Sequence, residues 1–304
     1  MNIVFMGSPD FAIPSLHAIH QSKHTIVAVV SNVDKRRGRG TSTMPTPVKA
    51  AAQELNLPVI EVDDLKSDAF AQQLQQLNAD LFVVVAFRIL PVSVLQIPRI
   101  GSVNLHASLL PKYRGAAPIH WAIMNGEQET GCTIFFLDEK VDTGNIILQQ
   151  KTTIDDDETT GELYARLSTL GSEALLTALD HIEDNTAVPI PQDDALASPA
   201  PKLFKEDAHL TFHQPAINVH NRIRGLSPFP TAWADWEGKP MKIYRSALGP
   251  IANVNPGDLF ERNGRLLVGC VEGSVELLEL QLPGKKRMTA QEFLNGYTPS
   301  GTLN

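Results

Sequence analysis

Two uninterrupted apolar runs in the first third of the chain restrict its fold more than any other feature. They are Ile26-Val-Ala-Val-Val30 and Leu81-Phe-Val-Val-Val-Ala86. Strands that face solvent on one side alternate apolar and polar residues, whereas strands covered on both faces read as continuous apolar runs. The two runs therefore predict buried strands of a parallel sheet with helices on both of its faces.

The segments around these runs alternate between strand and helix patterns. We predict a strand at 2–6, a helix at 10–21, a strand at 25–31, helices at 47–55 and 66–77, and strands at 80–85 and 101–105. This order is typical of an α/β fold with a doubly wound, mostly parallel, Rossmann-like sheet. The fingerprint Gly-x-Gly-x-x-Gly does not follow the first strand, which argues against NAD binding.

The remaining sequence predicts a second domain. Two further strands, at 130–137 and 144–150, and a long helix that starts at Thr159 complete a first domain of residues 1–184. Residues 185–203 are rich in proline and predict an extended linker. In residues 204–304, short apolar segments are separated by Gly, Pro and Asn turns, which predicts a small β-barrel.

Composition and charge exclude some classes of protein and leave others open. The net charge is −8, but residues 151–204 hold 11 Asp/Glu against 3 Lys/Arg, so the acidity is local and does not exclude a nucleic-acid partner. No run approaches the roughly 18 apolar residues that a membrane span needs, and the first residues lack a signal-peptide pattern. We therefore expect no membrane attachment and a cytoplasmic location. A monomer is expected too, although nothing in the composition determines the oligomeric state.

The cysteines and the first histidines do not predict a metal centre. Cys132 and Cys270 lie far apart among apolar residues, which favours reduced, buried thiols. His17, His20 and His24 have the spacing of helical ligands but lack the acidic residue of known helical metal motifs. We expect no metal.

The strand that ends at His106 carries the candidate chemistry. In Val103-Asn-Leu-His106, alternation places Asn104 and His106 on the same face, at the edge where open α/β sheets bind ligands. An amide and an imidazole there can stabilise an oxyanion and move a proton, although a capping Asn and a structural His are also consistent with the pattern. Asp142, before Thr143-Gly144, is predicted as a turn residue, and spacing alone does not bring it to His106.

Two basic segments are candidate contacts for phosphate. Lys35-Arg-Arg-Gly-Arg39 holds four basic residues in five positions, which fits either a solvated mobile loop or a clamp on a nucleic-acid backbone. Lys285-Lys-Arg287 is a second, smaller patch that is open to the same two interpretations.

Several stretches of this chain resemble the formyltransferases that use 10-formyltetrahydrofolate, and within them the methionyl-tRNA formyltransferases. The stretches are Ile3 to Ala12, Gly38 to Lys49, Asn104 to Pro118, Ile223 to Trp233 and Pro283 to Lys286, so the resemblance covers nearly the whole chain. It implies a Rossmann-like formyltransferase domain followed by a barrel of the oligonucleotide-binding (OB) type. It also implies a folate formyl donor and methionyl initiator tRNA as the formyl acceptor.

The resemblance also implies roles for individual residues. The catalytic trio would be Asn104, His106 and Asp142. The folate-binding residues would be Phe87, Arg88, Ile89, Leu90, Ser108, Leu109, Leu110, Pro111, Asp138 and Val141. The tRNA-binding residues would be Lys35, Arg36, Arg37, Arg39, Lys285, Lys286 and Arg287.

One departure and two alternatives qualify this interpretation. Arg88 stands where many members have a Gly and one further residue, and Gly permits backbone conformations that Arg resists. A formyltransferase that acts on an amino sugar nucleotide would share the trio and the Ser108-Leu-Leu-Pro111 segment. A non-catalytic RNA-binding protein on the same scaffold is the other alternative.

Overall fold

A computed structural model describes residues 1–36, 43–251 and 253–304 of the chain. In the part of the chain that ends at Glu183, the strands are β1 Asn2–Gly7, β2 Thr25–Asn32, β3 Lys35–Arg36, β4 Thr43–Met44, β5 Val59–Val62, β6 Leu81–Val85, β7 Gly101–His106, β8 Glu129–Phe136 and β9 Ile146–Thr153. The helices over the same part are α1 Ile13–His20, α2 Pro47–Glu54, α3 Asp68–Gln76, α4 Val92–Leu95, α5 Pro118–Met124 and α6 Thr160–Glu183.

Seven of these strands form one sheet in the order β5-β2-β1-β6-β7-β8-β9. The pairs β2–β5, β1–β2, β1–β6 and β6–β7 are parallel, and β7–β8 is antiparallel. Every residue of β6 is at most 2% exposed, and Ile3 to Met6 of β1 are fully buried. The prediction of a mostly parallel sheet with strands covered on both faces is confirmed.

The C-terminal part is built from antiparallel strands and two helices. Its elements are α7 Ala216–Gly225, β10 Ala232–Trp236, β11 Lys239–Leu248, β12 Leu259–Arg262, β13 Arg265–Gly269, β14 Ser274–Gln281, β15 Met288–Thr289 and α8 Ala290–Gly296. The strands form a six-stranded sheet in the order β10-β11-β14-β13-β12, with β15 on β14. Their inward residues surround a core of their own that includes Phe212, Ile243 and Phe293. The predicted small β domain is confirmed.

The structure divides the chain into two compact units with interrupted boundaries. The first unit contains residues 1–115, 131–152 and 165–199, and the second contains 116–130, 153–164 and 200–304. The domain limits 1–184, 185–203 and 204–304 stay predictions. In the described ranges, no helix is both long and apolar enough to cross a lipid bilayer.

Sequence reasoning missed several short elements. The strand β5 and the helices α4 and α5 have no counterpart among the predicted segments. Each has at most seven residues, and β5, which begins directly after Pro58, has only four residues. Segments of this length contain too few periods of apolar residues to be distinguished from loops.

Candidate active site

The strand β7 places Asn104 and His106 at the carboxyl edge of the parallel part of the sheet. Asn104 pairs with Val84 on one side and with Phe135 on the other, and His106 is the last residue of the strand. Val103 and Leu105, which point to the opposite face, are at most 3% exposed. The alternation therefore puts both polar side chains on one face, as predicted, with Asn104 half-buried and His106 buried.

The two ring nitrogens of His106 have different surroundings. Its Nε2 atom lies 2.8 Å from the carbonyl oxygen of Tyr113. A carbonyl only accepts hydrogen bonds, so Nε2 carries a proton and donates. Its Nδ1 atom lies 3.9 Å from Oδ2 of Asp142. The Nδ1 edge is therefore the part of the ring that can exchange a proton beside a carboxylate.

The fold brings Asp142 to His106 through the turn between β8 and β9. Asp142 is buried, has a φ of 57°, and its Oδ2 accepts a 2.8 Å hydrogen bond from the backbone N–H of Gly115. Gly144 closes the turn, because a Cβ at that position would lie 1.7 Å from the carbonyl oxygen of Phe136. Asp142 thus occupies the predicted turn and also lies beside His106, which spacing could not indicate.

Two polar side chains, from Thr133 and Gln149, form hydrogen bonds with the backbone of segment 108–111. Thr133 donates a 2.6 Å hydrogen bond to the carbonyl of Ser108 and accepts one of 3.0 Å from the N–H of Leu110. Gln149 donates to the carbonyl of Leu110 at 2.8 Å. The hydroxyl of Ser108 is itself buried and donates to the carbonyl of Lys112. The polar groups of this segment are therefore used to fix its backbone, while Leu109 and Pro111 remain half-exposed.

The segment 85–91 begins at the last residue of β6 and lies at the same edge of the sheet. Arg88 donates to the carbonyl oxygens of Asp63 at 2.6 Å and Val62 at 2.7 Å, and its guanidinium lies 5.6 Å from the ring centre of Phe87. Ile89 is 76% exposed, whereas Leu90 is buried. The guanidinium therefore ties this segment to the end of β5.

The other predicted folate residues lie in the turn that carries Asp142. Asp138 accepts hydrogen bonds from the backbone N–H of Lys140 and the hydroxyl of Thr143, and Val141 is half-exposed. Asp138 thus shapes the turn, and Val141 presents an apolar side chain to solvent.

The predicted tRNA-binding residues fall into two groups. Lys35 and Arg36 form β3, which pairs with β4, while Arg37 and Arg39 lie outside the described residues. In the second unit, Lys285 and Lys286 are exposed. Arg287 is also exposed, but it is paired with Glu279 and lies 4.3 Å from the ring centre of Tyr244.

A cluster of potential metal ligands is already paired with a lysine and with the N-terminal ammonium. His24, Asp180 and Glu183 bring ligand atoms within 4.8 Å of one another. Lys23 lies 3.0 Å from Asp180 and 3.1 Å from Glu183, so it occupies the position of a counter-ion. The cluster reads as a surface ion-pair network that joins the turn before β2 to the end of α6.

Sequence reasoning missed a pair of residues that support the turn at Asp142. The side chain of Gln192 contacts the carbonyl oxygen of Asp142, and Arg114 contacts the side chain of Gln192. Gln192 falls in the segment that was predicted as a linker, and it is 50 residues from Asp142 in sequence. No local pattern could have found this contact.

Comparisons with known proteins agree on one family. A family model described as formyl transferase matches residues 1–179, and one described as formyl transferase, C-terminal domain, matches residues 202–298. The chain is 48% identical to a methionyl-tRNA formyltransferase of Chlorobium luteolum, over 99% of this chain and 98% of that protein. It is 42% identical to a methionyl-tRNA formyltransferase of Porphyromonas gingivalis, over 100% of this chain and 98% of that protein.

Solved structures with the same fold include two that were determined with a folate. An N-formyltransferase from Helicobacter canadensis, in complex with folinic acid and dTDP-3-aminofucose, has a TM-score of 0.68 and 23% identity, over 90% of this chain and 98% of that one. HypX from Aquifex aeolicus, in complex with tetrahydrofolic acid, has a TM-score of 0.65 and 18% identity, over 99% of this chain and 48% of that one. At these identities the likeness shows the fold.

Proposed function

The chain belongs to the formyl transferase family, and from this premise we propose that it transfers the formyl group of 10-formyltetrahydrofolate to the α-amino group of methionyl initiator tRNA. The observation that carries the proposal is 48% identity to a methionyl-tRNA formyltransferase over nearly the full length of both chains. We further propose that the protein acts as a monomer in the cytoplasm, where initiator tRNA is formylated.

The reaction is a direct acyl transfer between two nitrogens. The amine attacks the formyl carbon, a new C–N bond forms, and the carbonyl oxygen becomes an oxyanion. The bond to the folate nitrogen then breaks, the amine loses a proton and the folate nitrogen gains one. Because the amine is the nucleophile, no covalent enzyme intermediate is needed.

Asn104 and His106 are proposed to stabilise the oxyanion. The amide of Asn104 is half-buried on the same strand face as the His106 ring, and a donor in such a site is stronger than in water. The Nε2 atom of His106 is engaged by Tyr113, so the Nδ1–H of the protonated ring is the donor that remains for the substrate. Asp142, 3.9 Å away, would balance the charge of that ring and assist removal of the amine proton.

The folate is proposed to bind along three segments of the first unit: 87–90, 108–111 and the turn from Asp138 to Val141. The half-exposed apolar side chains of Leu109, Pro111 and Val141 suit a pterin ring, and the backbone of 108–111 is fixed by Thr133 and Gln149. The basic residues of 35–39 and 285–287 are proposed to contact tRNA phosphates.

An assay with two acceptors tests this function. The purified chain is given formyl-labelled 10-formyltetrahydrofolate with either methionyl initiator tRNA or a dTDP-linked 3-amino sugar. We expect label on the methionyl-tRNA alone, with loss of transfer in the His106→Ala variant. Transfer to the sugar nucleotide instead, or no transfer to either acceptor by folded protein, would refute the proposal.

A further inference from the structure

A strap formed by residues 190–199 crosses the two loops that carry the candidate active site. At one end, Ile190 exchanges two 2.8 Å backbone hydrogen bonds with Ile146, next to the turn of Asp142. At the other end, the backbone N–H of Arg114 donates to the carbonyl of Ser198 at 2.8 Å, and that of Tyr113 donates to the Ser198 hydroxyl at 2.9 Å. The strap thus links the loop that contacts His106 with the turn that holds Asp142.

Gln192 is the strap residue that reaches the turn. Its Nε2 atom donates to the carbonyl oxygens of Asp142 at 3.0 Å and Gly144 at 2.8 Å. Residues 188–191 and 193–196 are exposed, whereas Gln192 is half-buried. The side chain is therefore directed inward, onto the backbone on both sides of Thr143.

Arg114 fixes the orientation of the Gln192 amide. Its Nε and Nη2 atoms donate to Oε1 of Gln192 at 3.2 Å and 2.8 Å. A guanidinium only donates, so the amide oxygen must face Arg114 and the NH2 group must face the turn. The Arg114 side chain is only 16% exposed, although its acidic partner Asp194 is 82% exposed. The mostly buried guanidinium therefore contacts both the half-buried Gln192 and the exposed Asp194.

The residues on either side of Arg114 touch the catalytic pair directly. The carbonyl of Tyr113 accepts the hydrogen bond from His106, and the N–H of Gly115 donates to the carboxylate of Asp142. One three-residue segment thus contacts His106, Gln192 and Asp142. A movement of Gln192 would be transmitted to both members of the pair.

We propose that Gln192, oriented by Arg114, is a positioning residue that holds Asp142 at its place beside His106. Asp142 has a left-handed backbone, which is uncommon for non-glycine residues although Asp tolerates it in turns, and the Gln192 hydrogen bond acts on that same residue. A misplacement of about 1 Å at a reacting group lowers a rate by up to roughly 100-fold. The inference rests on the proposed formyl transfer, because it assigns a role within that reaction.

The test compares Gln192→Ala and Gln192→Glu with the wild-type chain in single-turnover formyl transfer to methionyl-tRNA. The Glu variant keeps the shape and the contact with Arg114 but has no N–H to donate to the turn. We expect both variants to react roughly 10- to 100-fold more slowly, with the KM for the folate donor changed by no more than about 3-fold. Asp194→Asn is the matched control on the strap, because it removes the negative charge of the exposed partner of Arg114 and leaves Gln192 in place; we expect it to stay within about 2-fold of wild type.

A double-mutant cycle separates positioning from a general structural role. If Gln192 acts through Asp142, then Gln192→Ala adds less than about 2-fold to the defect of Asp142→Asn. Rates equal to wild type in both Gln192 variants, or a full additional loss in the Asp142→Asn background, would overturn the inference. Absence of transfer by the wild-type chain would instead refute the proposed function, so the two failures are distinguishable. Thermal melting and folate binding of each variant show that the compared proteins are folded.

Discussion

The Nδ1 atom of His106 lies 3.9 Å from Oδ2 of Asp142, and both side chains are buried. This distance exceeds that of a hydrogen bond but lies within ion-pair range, and the same carboxylate oxygen already accepts the N–H of Gly115. The role proposed for Asp142, to balance charge on the His106 ring, depends on this distance.

The first prediction concerns Asn104, the proposed oxyanion donor on β7. Asn104→Ala removes an amide from the half-buried face that it shares with His106, and loss of one such donor typically lowers turnover roughly 100- to 1,000-fold. Single-turnover formyl transfer to methionyl-tRNA measures the effect, and folate binding should stay near wild type. An unchanged rate in a folded Asn104→Ala protein would show that another group stabilises the oxyanion.

The second prediction concerns Arg88, which stands in place of a glycine that many relatives are expected to carry. Arg88 donates to the carbonyls of Val62 and Asp63, so Arg88→Ala releases segment 85–91 from the end of β5. We expect the KM for 10-formyltetrahydrofolate to rise roughly 10-fold, or about 1.4 kcal/mol, with little change in kcat. Arg99→Ala is the control, because Arg99 is 72% exposed in a surface ion pair with Asp80. Equal KM values in the two variants would contradict a role for Arg88 in the folate pocket.

The third prediction concerns the basic residues proposed to contact tRNA. Arg39, outside the described residues, is the best candidate for a contact near the acceptor stem. Arg39→Ala should therefore weaken use of methionyl-tRNA while a small methionyl ester is still formylated at the wild-type rate. Lys286→Ala should lower tRNA affinity for all sequences and reduce the slope of log affinity against log salt by about 1. An equal loss of activity toward the ester would rule out the tRNA contact of Arg39.

The part of the site that sequence could predict is the part set by local periodicity. The apolar runs in β2 and β6 predicted the parallel sheet, and the alternation of β7 predicted that Asn104 and His106 share one face. The position of Asp142 beside His106 depends on the antiparallel register of β8 on β7 and on the turn after β8. This position results from contacts between residues that are far apart in the sequence. Only the resemblance to a family could therefore suggest that Asp142 lies beside His106.

The contact of Gln192 with the turn shows more clearly what local sequence patterns cannot predict. Its neighbours Pro191, Asp193 and Asp194 are typical of a linker. Nothing in their pattern indicates that Gln192 contacts Asp142, 50 positions earlier. The contact arises because the backbone of Ile190 pairs with Ile146, which the composition of neither segment predicts. Polar contacts of this kind become visible only once the tertiary path of the chain is known.

The fourth prediction is that neither cysteine takes part in the reaction. Burial raises the pKa of the Cys132 thiol to about 12 and that of Cys270 to about 11, so both remain protonated at neutral pH. We expect the native protein to react slowly with a thiol reagent, and Cys270→Ala to transfer formyl groups at the wild-type rate. Rapid labelling that abolishes activity and is prevented by folate would contradict this expectation.

The fifth prediction concerns the acid sensitivity of the second unit, and it follows from the buried ring of His220. Its Nε2 atom lies 3.2 Å from the carbonyl of Asp156, so Nε2 donates, and Nδ1 then accepts a hydrogen bond from the hydroxyl of Ser246 at 3.0 Å. Burial, with a smaller effect of Arg224, lowers the pKa of His220 below its ordinary value, against the opposing effects of the Asp156 carbonyl and of the Asp157 carboxylate, which lies 3.2 Å from Nε2. The folded protein therefore keeps this ring neutral at a pH at which the unfolded chain binds a proton.

The sign of the effect on stability follows from that difference in proton binding. Above the ordinary pKa of about 6.5 the ring is neutral in both states, and as the pH falls below that value the free energy of unfolding decreases by up to about 1.4 kcal/mol per pH unit for this group. His220→Gln can donate to Asp156 and accept from Ser246 but does not titrate. Urea unfolding at about pH 7 and about pH 5.5 should show a smaller loss in the variant than in the wild type. Because the pKa of His120 is also lowered, by burial, some acid sensitivity should remain. An identical loss in the two proteins would mean that His220 takes up its proton in the folded state.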